Sequence, residues 1–379
     1  MTDQDLRDLL HDRVADIAGP DLSATAWQRA AGLRRRRRAR VIGGVVAAVA
    51  VVAVVVASVD DRTGVDRDGA PPASSLPSRS GDPASDVPRA TRMEDYRGAA
   101  VWEAPPPEDE LALPRWREPS LPEVIDPDDA PVGVPGGPAR GLVVEGRRVL
   151  ALGEGGVLSE LDLARLAPVS DEGGNRLSPV TAYSLAPDGR HAFFVQESSL
   201  EVLDLVTGRW RSVDTPDWLA EGARWTSADE IWVPHALSSR GSGTIHDLDG
   251  TVSEAMVSWI AVGFGREETW GPVAATGDRV AQAMFLAGPV DGTGVSNPEA
   301  VVVATDGRHD VLTMWPAGEE TRQKGCCEVL GFLDDDTVLF ASRSTAGSRL
   351  LAWRVGTSEV YLVSRLAGGG TLVAWRPAT

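Results

Sequence analysis

An all-β propeller is the fold that this sequence predicts for its C-terminal three quarters, on three observations. From Ala139 onward, short apolar runs alternate with clusters of Gly, Asp and Pro. GLVVEGRRVLALG precedes GVLSELDLARL, and VTAYSLAPDGRHAFFVQ precedes SLEVLDLVTGRWRSV. Between the runs stand Asp188-Gly189, Thr207-Gly208, Asp249-Gly250 and Asp306-Gly307, pairs that tolerate the positive φ of tight hairpins. The third observation is recurrence: Leu142, Leu185 and Trp225 follow one another at spacings of 43 and 40 residues. A four-stranded unit of that length repeated around a ring buries both faces of every sheet, which no unit achieves alone.

Five such units are visible, the last three being ARWTSADEIWVP with GTIHDLDGTVSEAMV, PVAATGDRVAQAMFLAG with EAVVVATDGRHDVLTM, and VLGFLDDDTVLFAS with RLLAWRVGTSEVYLV. The terminal GTLVAWRPAT supplies one strand more, and RGAAVWEA near Arg97 is a candidate to pair with it in a shared blade. Such closure would remove the exposed sheet edges. The expected count is therefore six blades, with five as the alternative. Glu103 to Gly137 is rich in Pro and is expected to wrap the ring instead of forming a blade.

Ahead of the propeller, three further segments differ sharply in composition. Residues 1–40 hold nine arginines and six aspartates, and Leu6, Leu9, Leu10, Val14 and Ile17 form one apolar stripe at helical spacing. So few apolar residues cannot build a core, so the stripe is expected to face a cytosolic partner, lie on the membrane surface or stay partly disordered. Residues 41–59 read VIGGVVAAVAVVAVVVASV without a charge, directly after RRRRRAR at Arg34–Arg40. As a helix, nineteen residues span roughly 28 Å, about one hydrocarbon core, and the arginines hold the N-terminus inside. A cleaved leader ending near Ala57 is the competing reading, but its n-region and apolar run would both be too long. Residues 60–91 are a Pro, Ser and Gly linker, expected to be extended, and residues 92–379 form the extracytoplasmic propeller.

APDGRHAFFV and LEVLDLVTGRWRSV resemble blade motifs of bacterial WD-repeat-like propellers and of periplasmic Tol-associated propellers. With the arginine cluster and single anchor, the chain resembles membrane-anchored propeller proteins of actinobacteria. Its single lysine beside thirty-six arginines fits a GC-rich genome of that type. The resemblance implies the fold but no activity, because propellers host binding proteins, hydrolases and scaffolds alike.

The whole chain carries a net charge of -18, and the part beyond residue 40 is more acidic still. An outer domain of that sign repels nucleic acid and anionic lipid, which leaves cationic, neutral or carbohydrate partners. His191, His235, His246 and His309 fall in separate strands or loops, without metal-ligand spacing, so no metal and no cofactor is expected. Asp126, Asp128 and Asp129, and the run Asp334 to Asp336, match no calcium loop and are expected in solvated turns. Neither a hydrolase motif nor a singled-out carboxylate pair points to an enzyme.

Two features remain as candidate sites. Cys326 and Cys327 are the only cysteines and are adjacent, so an internal disulfide can only join these two. Their Cα atoms lie about 3.8 Å apart across a trans peptide, so such a bond would pin a tight turn, with two buried thiols as the alternative. Eleven of the twelve tryptophans lie outside the tail, most of them expected as wedges between blades. Trp218 and Trp270, in TPDWLAEG and REETWGP, have loop-like contexts and are the expected ligand-facing rings. The leading functional expectation is a non-enzymatic binding or sensing module for an envelope protein, peptide or glycan. A transmembrane regulator of anti-sigma type, working through the Leu6–Ile17 stripe, and an envelope-polymer hydrolase are the alternatives.

Overall fold

The computed structural model describes residues 87–117, 121–170, 178–215, 222–235, 241–257, 262, 268–287, 298–314, 322 and 325–376. The Leu6–Ile17 stripe, the apolar run 41–59 and Trp218 lie outside the described residues. Among the described residues, no helix is long and apolar enough to cross a membrane.

A strap opens the described chain, with β1 (Thr91–Arg92), β2 (Ala100–Glu103), a short 3-10 helix (Pro107–Ala112) and β3 (Val124–Ile125). The first blade follows with β4 (Ala139–Glu145), β5 (Arg148–Gly153) and β6 (Leu158–Glu160). The second holds β7 (His191–Val195), β8 (Ser199–Asp204) and β9 (Trp210–Asp214). Its inner edge is the segment 179–186, tied to β7 by Phe193 N–H donating to Ser184 O and Val195 N–H donating to Pro179 O. The third blade is β10 (Arg224–Trp225), β11 (Glu230–Pro234), β12 (Ser242–Asp247) and β13 (Val252–Met256). In the fourth stand β14 (Glu268–Thr276), β15 (Arg279–Phe285), β16 (Glu299–Thr305) and β17 (Arg308–Met314). The fifth has β18 (Val329–Asp334), β19 (Thr337–Ser344), β20 (Gly347–Arg354) and β21 (Val360–Leu366), and β22 (Thr371–Trp375) ends the series.

The ring has five blades, not six. β22 is antiparallel to β4, with Leu372 opposite Val143 and Trp375 opposite Gly141, and so becomes the inner strand of the first blade. That blade needed it, because β4 to β6 supply only three strands. RGAAVWEA does not pair with the terminal strand either. Its β2 lies parallel on β17, the outer edge of the fourth blade, with Val101 opposite Val311. The strap then continues around the ring as its Pro-rich composition predicts. Arg115 bridges to Leu362, β3 runs parallel to β21, and Val132 bridges to Glu160. Three outer edges are thereby covered by the chain itself, which removes templates for unwanted strand pairing.

Packing explains why the strands read as continuous apolar runs. Side chains alternate between the two faces of a strand, and here both faces meet a neighbouring blade. On β7, Phe193 and Val195 pack toward the third blade while Ala192 and Phe194 pack toward the first. β19 does the same, sending Val338 and Phe340 toward the fourth blade and Leu339 and Ala341 toward the first. The predicted turns form as expected: Gly189, Gly208 and Gly250 take φ of +73°, +72° and +100°, and Asp306 and Gly307 are both positive, at +46° and +76°.

Candidate functional site

The inner strands of all five blades converge on one cavity of about 140 Å³ at the ring axis. Tyr183 and Leu185 enter from the second blade, Trp225 from β10, and the stretch Pro272 to Ala275 from β14. Leu330 and Gly331 come from β18 and Trp375 from β22. None of the lining residues carries a formal charge, despite the acidity of the chain. Walled by apolar and aromatic groups, the space suits a single inserted side chain and is smaller than the roughly 300–1,000 Å³ of small-molecule pockets.

Three rings set its shape. Tyr183 Oη accepts a hydrogen bond from Val273 N–H at 2.9 Å, joining the second blade to the fourth across the axis. Arg224 lies 4.2 Å from the Tyr183 ring centroid, a cation–π contact. Burial pulls the Arg224 guanidinium below its usual value, partly offset by Tyr183. The Trp225 indole N–H donates to Ser184 O at 3.0 Å, and its ring tilts on Phe193 at 6.0 Å. Trp375 packs so close to β18 that a Cβ on Gly331 would lie 2.6 Å from its Cδ1.

Of the three residues whose spacing revealed the repeat, Leu185 and Trp225 face the axis, whereas Leu142 stands on β4, one strand out from the inner β22. Only the 40-residue step therefore compares inner positions of consecutive blades. Trp270 stands elsewhere: Glu268 to Pro272 belong to β14, so this ring is on a strand. Its ring is half-buried against the core between the fourth and fifth blades, 6.1 Å from the Phe285 ring. The strand bulges between Trp270 and Ala274, so a Gly-Pro that reads as a turn is absorbed in the sheet.

The histidines do not gather. His246 pairs across from Ile231 near the end of β12, while His235 follows β11 at the opposite end of that strand pair and meets Glu254 at 3.1 Å. Aspartates are spent on turns: Asp126 Oδ1 accepts from Asp128 N–H, and Asp334 Oδ1 from Asp336 N–H. Cys326 and Cys327 are disulfide-bonded and buried, at 1% and 0% exposure, in the core between the fourth and fifth blades. The turn before them is held by Glu299, whose two carboxylate oxygens accept from Gly325 N–H at 2.6 Å and Cys326 N–H at 3.0 Å.

One residue further on, burial pushes the Glu328 carboxyl above its ordinary value of 4.5, and Arg343 nearby offsets part of the rise. A raised carboxyl pKa favours folding in the protonated form, so its contribution is present below 4.5 and is lost as pH rises through the elevated value. Glu328→Gln, which keeps the neutral shape, should therefore be more stable than the parent at neutral pH. Urea midpoints of the two proteins should converge on acidification; a constant difference would refute this origin.

No family model matches this chain, and no curated protein does. Among solved structures it is similar to the N-terminal domain of Nup159, at 13% identity and a TM-score of 0.30, over 67% of this chain and 79% of that one. It is also similar to the WD40 domain of SCAP from fission yeast, at 12% identity and a TM-score of 0.23, over 61% of this chain and 54% of that one. The β-propeller domain of the Trilobed protease from Pyrococcus furiosus stands at 12% identity and 0.22, over 59% and 72%. These likenesses concern the propeller fold alone.

Proposed function

We propose that this protein is a non-enzymatic binding module of the cell envelope, held by the single apolar run 41–59 with its N-terminus inside. In this reading the axial cavity takes an apolar or aromatic group of an envelope peptide or protein. The observation that carries the proposal is the uncharged cavity walled by Tyr183, Trp225 and Trp375 and closed by inner strands of every blade. Desolvating an apolar group there costs no polar partner, whereas a charged glycan or cationic peptide would find no counter-charge.

Ala275 is exposed on β14 and lines the cavity, so Ala275→Trp fills the space without replacing a core residue. The full chain in detergent, probed against an array of apolar and aromatic peptides, should bind a subset. The substitution should weaken that binding by roughly tenfold or more, equivalent to about 1.4 kcal/mol, with an unchanged melting temperature. Equal binding by both proteins would defeat the proposal. Protease shaving of intact cells tests the topology, since the propeller should be cut and residues 1–40 spared.

A further inference from the structure

We propose that Glu299, Cys326 and Cys327 form a redox-gated site for a thiophilic divalent cation of the zinc class. Among the described residues these three are a group whose ligand atoms, one carboxylate oxygen and two sulfurs, all lie within 4.8 Å of one another. They come from two blades: Glu299 opens β16, and the cysteines immediately precede β18. The site is independent of the axial cavity.

Four observations support it. The Glu299 carboxylate is 9% exposed, and its bonds to Gly325 and Cys326 N–H come from backbone dipoles. Among the described residues no ion pair reaches it, and its carboxylate lies beside the sulfurs. Each of its oxygens keeps a further lone pair, because a carboxylate accepts at about four positions. Its Oε2 lies 3.7 Å from Cys327 Sγ, whereas the S···O edge of a tetrahedral zinc site with Zn–S about 2.3 Å and Zn–O about 2.1 Å is about 3.6 Å. Ligand spacing on that edge exists before any metal arrives.

In the oxidised protein the sulfurs are spent on each other and cannot act as thiolates. A dithiol reductant changes this: the Cys326–Cys327 bond breaks, the reductant passes two electrons and two protons to the pair, and it leaves as its own disulfide. Two thiols result. A divalent cation then displaces both thiol protons to solvent and binds two thiolates and the Glu299 carboxylate, with a fourth position open to water. A disulfide oxidant reverses this: it takes two electrons from the thiolates and two protons from solvent to leave as a dithiol, the Cys326–Cys327 bond re-forms and the metal is released. The chain around the site is thus a binding element whose cation affinity is set by the redox state of adjacent cysteines.

The test uses the full chain in detergent, oxidised or reduced with a water-soluble phosphine that becomes a phosphine oxide and does not compete for metal. Cadmium alone is the probe, read through its thiolate charge-transfer absorption, with zinc competition in a second titration. The reduced protein should bind one equivalent with the band, and the oxidised protein none. Glu299→Gln should weaken the reduced site by at least roughly tenfold, since even loss of a group behind a ligand costs 10–100-fold. Should Glu299→Gln fail to fold, Cys327→Ser carries the test and must lose most of the band. A reduced protein without the band, equal binding by the oxidised protein, or equal affinity of the folded variant would each overturn the proposal, as would a disulfide that the folded protein never releases to the phosphine.

Discussion

Glu110→Ala is expected to destabilise the propeller by about 3–5 kcal/mol, the range for breaking a buried ion pair from one side. Glu110 lies in the 3-10 helix of the strap and is fully buried. Its Oε1 is 2.8 Å from Arg322 and accepts from the Ser342 hydroxyl at 2.7 Å, and its Oε2 is 2.8 Å from Arg349. Both guanidiniums also donate to strap carbonyls, Arg322 to Pro105 and Arg349 to Pro107. Ser342 and Arg349 belong to β19 and β20, so this carboxylate latches the strap to the fifth blade.

Removing it deprives two buried guanidiniums of the carboxylate they share, and desolvated charge is far costlier than a lost surface pair. Arg354 and Glu359 give the contrast: that pair is 44% and 41% exposed, and breaking it should cost no more than about 1 kcal/mol. Urea unfolding should separate the two variants clearly. Hydrogen exchange should locate the damage at the outer edge of the fifth blade, where β3 covers Arg365 and Leu366. A loss under about 1 kcal/mol for Glu110→Ala, like that of an exposed pair, would mean that the strap is held by its backbone pairing alone.

Much of the ring was legible because its rules are local. Alternation of side chains between two buried faces writes itself as apolar runs such as AVVVAT and TVLFAS, and Asp-Gly turns mark where each strand reverses. What escaped was non-local. The blade count turned on whether GTLVAW opens a new unit or returns to Gly141, and no local pattern separates the two. Likewise β1 and β3 are two residues long and pair through backbone atoms, so they carry no periodicity to read. Glu110 sits in PPPEDELAL beside two other acids, and composition does not say which one is buried. Trp270 shows the reverse error. Gly and Pro beside it suggested a loop, but the bulge lets the strand accommodate both. The adjacent cysteines left a disulfide and two buried thiols both open, while Glu299 lies 27 residues away on another blade and had no signal in sequence.

Trp375→Ala is expected to cost about 3–5 kcal/mol, the range for truncating a large buried aromatic ring. The residue closes two things together. It is 6% exposed on the strand that completes the first blade, opposite Gly141, and its ring lies over Gly331 of the fifth. Ring closure therefore places β22 on the axis, where Trp375 packs across the seam between the first and last blades. Gly331 is the counterpart of this packing, since its lack of a side chain leaves room for the indole. Gly331→Ala should cost about 1–3 kcal/mol as an overpacked contact in the parent protein. In the Trp375→Ala background the same methyl enters the vacated space and should cost much less. The double-mutant cycle should then show a coupling of about 1 kcal/mol or more, well above the few tenths seen for independent sites. Strict additivity would mean that Gly331 and Trp375 do not meet, and the closing strand would have to be seated differently against the fifth blade.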